Sequence, residues 1–278
     1  MDPTLTLGIF VAALIAGLVG SLFGLGGGII IIPTLTIAFG LPLKEVIGAS
    51  LVGVIATSLG GSTSYIEEGL VNIRLGVVLE PATTLGSIVG ALIAIYLDQA
   101  IIASIFAIVL IYSAHYMHRR PARTVQVEGA RSHPYLSERY IDPGTVKEVS
   151  YEVHHLPRSL AACFLVGNLS SMLGVGGGTL KVPIMNIWMG VPMRAATATS
   201  NFMIGVTALA GTVVYYVSGH ISVDLAATVV LGAFIGATLG PRLSKEVASP
   251  SLRRYFAAIL VAVAILMVIR SLGVMTGV

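Results

Sequence analysis

One glycine-rich motif occurs twice in this chain, and the two copies are 150 residues apart. The first copy is Leu22–Pro33 and the second is Met172–Pro183. A shift of 150 residues without a gap superposes Gly24, Gly26, Gly27, Gly28 and Pro33 on Gly174, Gly176, Gly177, Gly178 and Pro183. The same shift matches further identical residues in the two halves, namely Gly40, Pro42, Ser50, Thr57, Gly61, Tyr65, Gly69, Gly86, Gly90 and Phe106. The chain is therefore a duplicated unit with a glycine-interrupted hydrophobic segment, a pattern that points to the substrate site of a secondary transporter.

The composition of the chain is that of a membrane protein. Of its 278 residues, 55% are hydrophobic and 10% are charged, and the mean hydropathy is +0.92, whereas soluble domains carry about 25% charged residues. Runs without any charged residue are near or beyond the roughly 20 residues that cross a bilayer: Leu5–Leu43, Val46–Ile66, Ala195–Val223 and Leu225–Pro241. We therefore expect a polytopic protein in the lipid bilayer.

Several other classes of protein have no support in the sequence. The N-terminal segment has Asp2 as its only early charge and lacks the basic region of a signal peptide, so it is kept as part of the fold. The single cysteine, Cys163, excludes an intrachain disulfide. The histidines near the linker, His115, His118, His154 and His155, match no zinc spacing. No HExxH, GxSxG or Walker motif is present. We expect no enzyme activity, no cofactor or metal and no nucleic-acid partner; a homo-oligomer is compatible with the sequence, which does not determine the oligomeric state.

The chain divides into two membrane repeats, residues 1–117 and 159–278, joined by a polar linker, residues 118–158. Each repeat contains a broken hydrophobic element followed by three helices. The predicted elements are Leu5–Phe39, Leu43–Tyr65, Ile73–Leu97 and Ala100–Met117, and then Ser159–Met189, Met193–Val217, Ile221–Gly240 and Leu252–Ile269. This predicts an all-α fold.

The linker is rich in basic residues, which places it in the cytoplasm by the positive-inside rule. It contains seven Lys or Arg residues and five acids. Two of its segments, Thr124–Val127 and Val149–Val153, alternate with the period of two that strands show, and Pro143-Gly144 supplies turn residues between them. A small β-hairpin and a partly ordered tether are both compatible with this pattern.

The two repeats are predicted to be inverted with respect to the membrane. The loop at Asp98-Gln99 has no basic residue, whereas the equivalent loop, Arg242–Arg254, has four. If basic loops face the cytoplasm, these equivalent loops lie on opposite sides, which requires an odd number of crossings per repeat. The second limb of the first broken element, Gly27–Phe39, has 13 residues and spans about 20 Å of helix, too short for the bilayer core. Each repeat is therefore predicted to contain a re-entrant helical hairpin plus three transmembrane helices.

The glycine turns are candidates for binding an anion. Gly26, Gly27 and Gly28, like Gly176, Gly177 and Gly178, permit unwound backbone, and a short helix with unpaired N–H groups follows each turn. Two such helix ends brought together near the bilayer midplane form an anion site from backbone alone. The alternative is that these glycines only allow helices to pack closely.

Five side chains are candidates to complete this site. Lys181 lies in the second short helix, where a charge is costly, and it either balances the anion's charge, loses its proton during the cycle or extends towards an interface. Ser50 and Ser200, which are equivalent under the repeat, and Asn201 are candidate hydrogen-bond donors, or ordinary contacts between helices. Glu80 is the carboxylate well inside a hydrophobic helix, and it either carries a coupling proton or extends to the cytoplasmic interface.

The doubled GxGGG…P hairpin is followed by a second motif, in which Gly190, Pro192, Ala196, Thr199 and Ser200 lie in the order GxPxxxAxxTS. Together they resemble the TauE/SafE sulfite exporter family of membrane permeases, over nearly the whole chain except the linker. In the first half Gly40 and Pro42 are kept, and Gly48-Ala49-Ser50 replaces the Thr-Ser pair.

This resemblance implies export of sulfite or a small organosulfonate across the cytoplasmic (inner) membrane, with the substrate bound between two inverted repeats. From the residues alone, an anion channel and a membrane sensor that signals through the linker remain alternatives.

Overall fold

The computed structural model describes residues 3–118, 133–142, 148–247 and 261–267. In this part of the chain, six helices are long and apolar enough to cross a membrane: Pro3–Phe23, Leu43–Glu67, Ile73–Tyr96, Leu156–Leu173, Met193–Val217 and Val223–Gly240. The prediction of a polytopic, mainly helical membrane protein is confirmed.

The first repeat contains helices α1 (Pro3–Phe23), α2 (Gly28–Pro33), α3 (Leu43–Glu67), α4 (Ile73–Tyr96) and α5 (Gln99–His118). The second contains α6 (Leu156–Leu173), α7 (Gly178–Pro183), α8 (Met193–Val217) and α9 (Val223–Val247). Helices α2, α3 and α4 begin 150 residues before α7, α8 and α9. The duplication seen in the sequence is thus repeated element by element. Of the predicted last helix, Leu252–Ile269, only residues 261–267 are described, and they are helical.

Each broken element is a helical hairpin. A Cβ added to Gly27 would lie 2.8 Å from the carbonyl oxygen of Ala16, and one added to Gly8 would lie 2.9 Å from the ring of Phe39. The second limb therefore runs back along α1. Pro33 ends α2 and Pro183 ends α7, and in each case a π-helical turn follows, Thr34–Ala38 or Ile184–Trp188. Proline has no N–H to donate, so the regular helical hydrogen bonding is interrupted there.

Helices of one repeat pack against helices of the other repeat. Helix α1 packs along α9, and α4 packs along α6. Glycines at these interfaces touch the opposite backbone reciprocally, since Gly236 contacts the Leu14 carbonyl and Gly86 contacts the Phe164 carbonyl, which are equivalent positions. Because lipid gives helices little hydrophobic reason to associate, such close backbone contact is a main source of packing energy in membranes.

Helices α3 and α8 lie antiparallel at the centre of the molecule. At one end of the pair, the backbone N–H of Asn72, which follows α3, donates to the Thr199 hydroxyl near the start of α8 (3.0 Å). At the other end, a Cβ added to Gly48 near the start of α3 would lie 2.6 Å from the carbonyl oxygen of His220, which follows α8. The two hairpins are held against this central pair.

The linker contains an antiparallel β-hairpin of strands β1 (Glu138–Ile141) and β2 (Glu148–Tyr151), with Arg139 opposite Ser150. Strand β2 overlaps the segment Val149–Val153 that the alternation pattern singles out. The other predicted strand, Thr124–Val127, and the turn Pro143-Gly144 lie outside the described residues. The first strand of the observed hairpin is a different segment, nearer in the chain to β2.

The described part of the linker packs against the helices. Leu136 and Val153 belong to a buried cluster with residues of α4 and of the π-helical turn after α7. The side chain of Asn72 donates hydrogen bonds to the Leu136 carbonyl (2.8 Å) and to the Tyr151 hydroxyl (3.0 Å), and it also caps α4 by accepting from the Leu75 N–H. Burial raises the pKa of Tyr151, so its hydroxyl stays neutral. This part of the linker is therefore a cap on one end of the helix bundle.

Candidate functional site

The two glycine turns meet at the centre of the protein, between α3 and α8. Gly26 and Gly176 both face the side chains of Val54 and Ile204, which are equivalent positions of α3 and α8. Both glycines have left-handed backbone angles, with φ of 79° and 73°, which residues with a Cβ rarely adopt.

The turns also touch each other directly through their backbones. A Cβ added to Gly178 would overlap the carbonyl oxygen of Gly24, and one added to Gly28 would overlap the carbonyl oxygen of Gly174. Glycine at these two positions therefore lets the backbones of the two turns come into contact, which is the packing role left open by the sequence.

Both short helices begin at this meeting point. The first hydrogen bonds of α2 run from the N–H groups of Ile30 and Ile31 to the Gly27 carbonyl, and those of α7 run from Leu180 and Lys181 to the Gly177 carbonyl. The N–H groups of the first helical residues, which have no acceptor within a helix, thus lie where the two repeats meet.

Ser50 and Ser200 connect each central helix to the turn of the other repeat. The Ser50 hydroxyl donates to the Gly174 carbonyl at 2.8 Å, and the Ser200 hydroxyl donates to the Gly24 carbonyl at 3.4 Å. Both residues are fully buried. In this conformation the two hydroxyls hold the glycine turns in place.

Replacing Ser50 with alanine should lower the thermal unfolding midpoint in detergent more than replacing Ser200. The Ser50 bond is shorter, and removing a buried donor costs about 1–3 kcal/mol because the carbonyl is left without its partner. The equivalent substitution Ser200→Ala is the matched control. Equal midpoints for the two variants would contradict the difference in bond length.

Lys181 and Glu80 form a buried ion pair that joins the two repeats. The Lys181 side chain is 1% exposed and the Glu80 side chain is 13% exposed, and Lys181 Nζ lies 3.7 Å from Glu80 Oε2. The hydroxyl of Thr207 lies between them, accepting a hydrogen bond from Lys181 Nζ (2.6 Å) and donating one to Glu80 Oε1 (2.6 Å). Three helices, α4, α7 and α8, supply these groups.

This arrangement bears on the alternatives for both charged residues. In this conformation the two charged groups are directed at each other inside the protein. Thr84, one helical turn beyond Glu80, donates to Oε1 (3.3 Å). Further along α4, the Ser87 hydroxyl bonds to that of Ser171 and donates to the Thr207 carbonyl (2.7 Å). The sequence interpretation did not identify Thr84, Ser87 or Ser171. Thr84 and Ser87 lie about one and two helical turns beyond Glu80 on α4, and this spacing was the available signal for them. Ser171 belongs to α6, so only the tertiary structure brings it to this group.

Asn201 follows Ser200 on α8 and faces α1 and α3. Its side-chain Nδ2 is 3.4 Å from the Ser21 carbonyl, and its backbone carbonyl accepts from the Ser58 hydroxyl (2.5 Å). The Asn201 Oδ1 atom is buried and has no hydrogen-bond partner among the described residues. No group of three His, Cys, Asp or Glu residues suited to a metal occurs in the part of the chain that the structure describes.

Comparison with known proteins connects this architecture to membrane transporters. A family model described as "Sulfite exporter TauE/SafE" matches residues 9–267. The chain is 33% identical over 245 residues to the probable membrane transporter protein YunE of Bacillus subtilis, covering 85% of this chain and 87% of that protein. It is 26% identical over 267 residues to the probable membrane transporter protein MJ0441 of Methanocaldococcus jannaschii, covering 91% of each. No solved structure matches the chain at a significant level.

Proposed function

The chain belongs to the TauE/SafE sulfite exporter family, a family of membrane transporters rather than enzymes, and on this premise we propose that it is a secondary carrier for a small sulfur oxyanion. The substrate class is sulfite or a small organosulfonate, moved outwards across the cytoplasmic membrane. The backbone N–H groups near Gly26–Gly28 and Gly176–Gly178 hold the anion, and Lys181 balances its charge. Ser50, Ser200 and Asn201 donate hydrogen bonds, and Glu80 carries a coupling proton.

The observation that carries this proposal is a buried cation in the short helix that begins where the two glycine turns touch. Lys181 lies three residues into α7, and α7 begins where the turns touch. A buried charge inside a membrane protein is costly and is typical of a substrate or ion pathway. In the conformation described, the Ser50 and Ser200 hydroxyls bond to backbone carbonyls, so anion binding exchanges these bonds for bonds to the oxyanion.

The proposal includes inverted repeats with re-entrant hairpins. Its support is the antiparallel packing of α3 and α8, each of which is 25 residues long. Because these equivalent helices run in opposite directions, α1 and α6 begin at opposite ends of the bundle. The second limb of each hairpin turns back towards the end from which α1 or α6 began. Rocking of one repeat against the other would then open the central site to each side in turn.

The proposed orientation places the linker in the cytoplasm. The linker cap contacts the end of the bundle where α4 and α8 begin, and cations gather there. Arg194 at the start of α8 pairs with Asp142 of the linker, and Arg74 at the start of α4 lies 5.1 Å from the ring centre of Tyr135. Arg residues in loops next to membrane helices are typical of the cytoplasmic side.

Counterflow of labelled sulfite in proteoliposomes tests the function. We expect saturable uptake driven by sulfite inside the vesicles, inhibited by sulfite and by the sulfonates taurine and sulfoacetate in an order that identifies the head group. A carrier shows counterflow because loaded sites exchange, whereas a channel gives flux without saturation or counterflow. Folded protein that shows no counterflow with any of these anions would contradict the proposal.

A further inference from the structure

We infer that the Glu80 carboxylate is a built-in competitor of the substrate, which the anion displaces from Lys181 when Glu80 takes up a proton. In the conformation described, Glu80 occupies the negative position beside Lys181. In the loaded state the substrate oxyanion occupies it, and Glu80 is a neutral acid. This inference rests on the proposed function and adds to it the step that couples anion to proton.

The ion pair between Lys181 and Glu80 is loose. The distance of 3.7 Å between Lys181 Nζ and Glu80 Oε2 is too long for a hydrogen bond. Glu80 Oε2 is buried and has no hydrogen-bond partner among the described residues, and Lys181 Nζ donates one hydrogen bond there, to Thr207. An ammonium group has three N–H donors. Both partners therefore keep unused hydrogen-bonding capacity on the sides that face each other.

The exchange of Glu80 for the anion keeps the charge of the site balanced. Lys181 with ionised Glu80 has no net charge, and Lys181 with a bound monovalent anion and protonated Glu80 has none either. Adding the anion without the proton would leave one uncompensated negative charge in a medium of low dielectric constant, which is strongly unfavourable. One proton from solution thus enters with each monovalent anion.

The ion pair breaks the symmetry of the repeats. The positions equivalent to Lys181, Thr207 and Glu80 are Ile31, Thr57 and Val230. Thr57 keeps its hydroxyl and bonds to the Gly53 carbonyl within its own helix (3.0 Å). The two repeats share their packing contacts, and the equivalent place with Ile31 and Val230 has no charge. The fold therefore does not need a charge here, and the pair serves a task for which the two repeats are not equivalent.

The surroundings of Glu80 contain few other groups that titrate. Helix α7 contributes Lys181, α8 contributes the uncharged Thr207, and α4 itself contributes Thr83 and Thr84, of which Thr84 bonds to the carboxylate. Helix α6 contributes the thiol of Cys163, which interacts electrostatically with both charges of the pair. Cys163→Ser is therefore included as a background in the experiment, so that a pH effect is assigned to Glu80.

The experiment compares wild-type protein with Glu80→Gln in counterflow at a series of pH values, with labelled sulfite and with methanesulfonate. Sulfite itself changes protonation near neutral pH. At each pH the half-saturation constant of the wild type is therefore divided by that of Glu80→Gln for the same substrate, because the ionisation of the substrate cancels in this ratio. Methanesulfonate stays ionised throughout. Glu67→Gln, an exposed acid at the end of α3, is the matched control.

We expect the half-saturation constant of the wild type to rise with pH relative to that of Glu80→Gln, by up to about tenfold per pH unit, since binding of the anion takes up one proton. Glu67→Gln and Cys163→Ser should follow the wild type. In weakly buffered detergent solution, wild-type protein should take up about one proton per methanesulfonate bound, a measurement that needs no variant to fold.

The outcomes separate this inference from the proposed function. Counterflow in the wild type with a ratio that does not change with pH, or methanesulfonate binding without proton uptake, overturns the exchange and leaves the carrier standing. No counterflow and no binding of any anion overturn the proposed function and the exchange together.

Discussion

Replacing Gly178 with alanine is expected to abolish the folded, transport-competent protein. A Cβ at this position would overlap the carbonyl oxygen of Gly24 in the opposite turn and would lie 2.9 Å from the Ile204 side chain. The obstacle is backbone, which cannot rotate away as a side chain can. Overpacking a well-packed site costs about 1–3 kcal/mol and more where backbone must move, so we expect a loss at or above about 3 kcal/mol.

The yield of monodisperse protein, its unfolding midpoint and sulfite counterflow measure this effect. Gly28→Ala should behave in the same way, because it would overlap the Gly174 carbonyl. Gly219→Ala is the matched control: this loop glycine has φ of 72° but nothing within 4 Å of an added Cβ, so it adds only the backbone cost of about 1 kcal/mol. A Gly178→Ala protein as stable as Gly219→Ala would refute the close contact of the two turns.

Replacing Lys181 with methionine is expected to destabilise the protein by about 3–5 kcal/mol, because it leaves a buried carboxylate without its partner. Methionine keeps much of the length of the side chain, so loss of the charge dominates over loss of packing. The double variant Lys181→Met with Glu80→Gln removes both charges and should recover most of the stability, since a buried ion pair contributes little net free energy compared with neutral groups.

Transport should respond differently from stability in these two variants. Both lack the cation that balances the anion, so we expect counterflow to fall at least about 100-fold in each, which corresponds to the loss of roughly 3 kcal/mol of interaction. Unfolding midpoints and counterflow measured on the same preparations make the comparison. Restored counterflow in the double variant would mean that Lys181 and Glu80 serve the fold alone.

Local features of the fold were accessible from the sequence because they depend on neighbours in the chain. The hydrophobic runs predicted the long helices, and the Gly-Gly-Gly and Pro33 or Pro183 signals predicted the breaks, since backbone angles and the missing proline N–H act within a few residues. The linker shows the limit of such patterns. The predicted strand Thr124–Val127 lies outside the described residues, and the strand that pairs with β2 is Glu138–Ile141, which the alternation pattern did not single out and whose neighbour Leu136 is buried against the helices.

Contacts between residues that are far apart in the chain could not be predicted from local sequence patterns. Glu80 and Lys181 were each picked out as charges in hydrophobic surroundings, but 101 positions separate them in the sequence, and no local rule pairs them. Their meeting depends on α4 of one repeat packing beside α7 and α8 of the other. The same holds for Ser50 and Ser200, which the sequence offered either as donors to a ligand or as contacts between helices, and whose hydroxyls bond in this conformation to the turns of the opposite repeat.

The sequence by itself determined that this is a duplicated, polytopic membrane protein with a glycine-broken hairpin in each half, because hydropathy, glycine and proline act locally and the repeat is visible as identity. Only the tertiary structure decided which glycines touch, which hydroxyls brace the turns and which carboxylate faces Lys181. These contacts depend on how helices of one repeat pack against helices of the other, and the free energy of that packing comes from surfaces that are far apart along the chain.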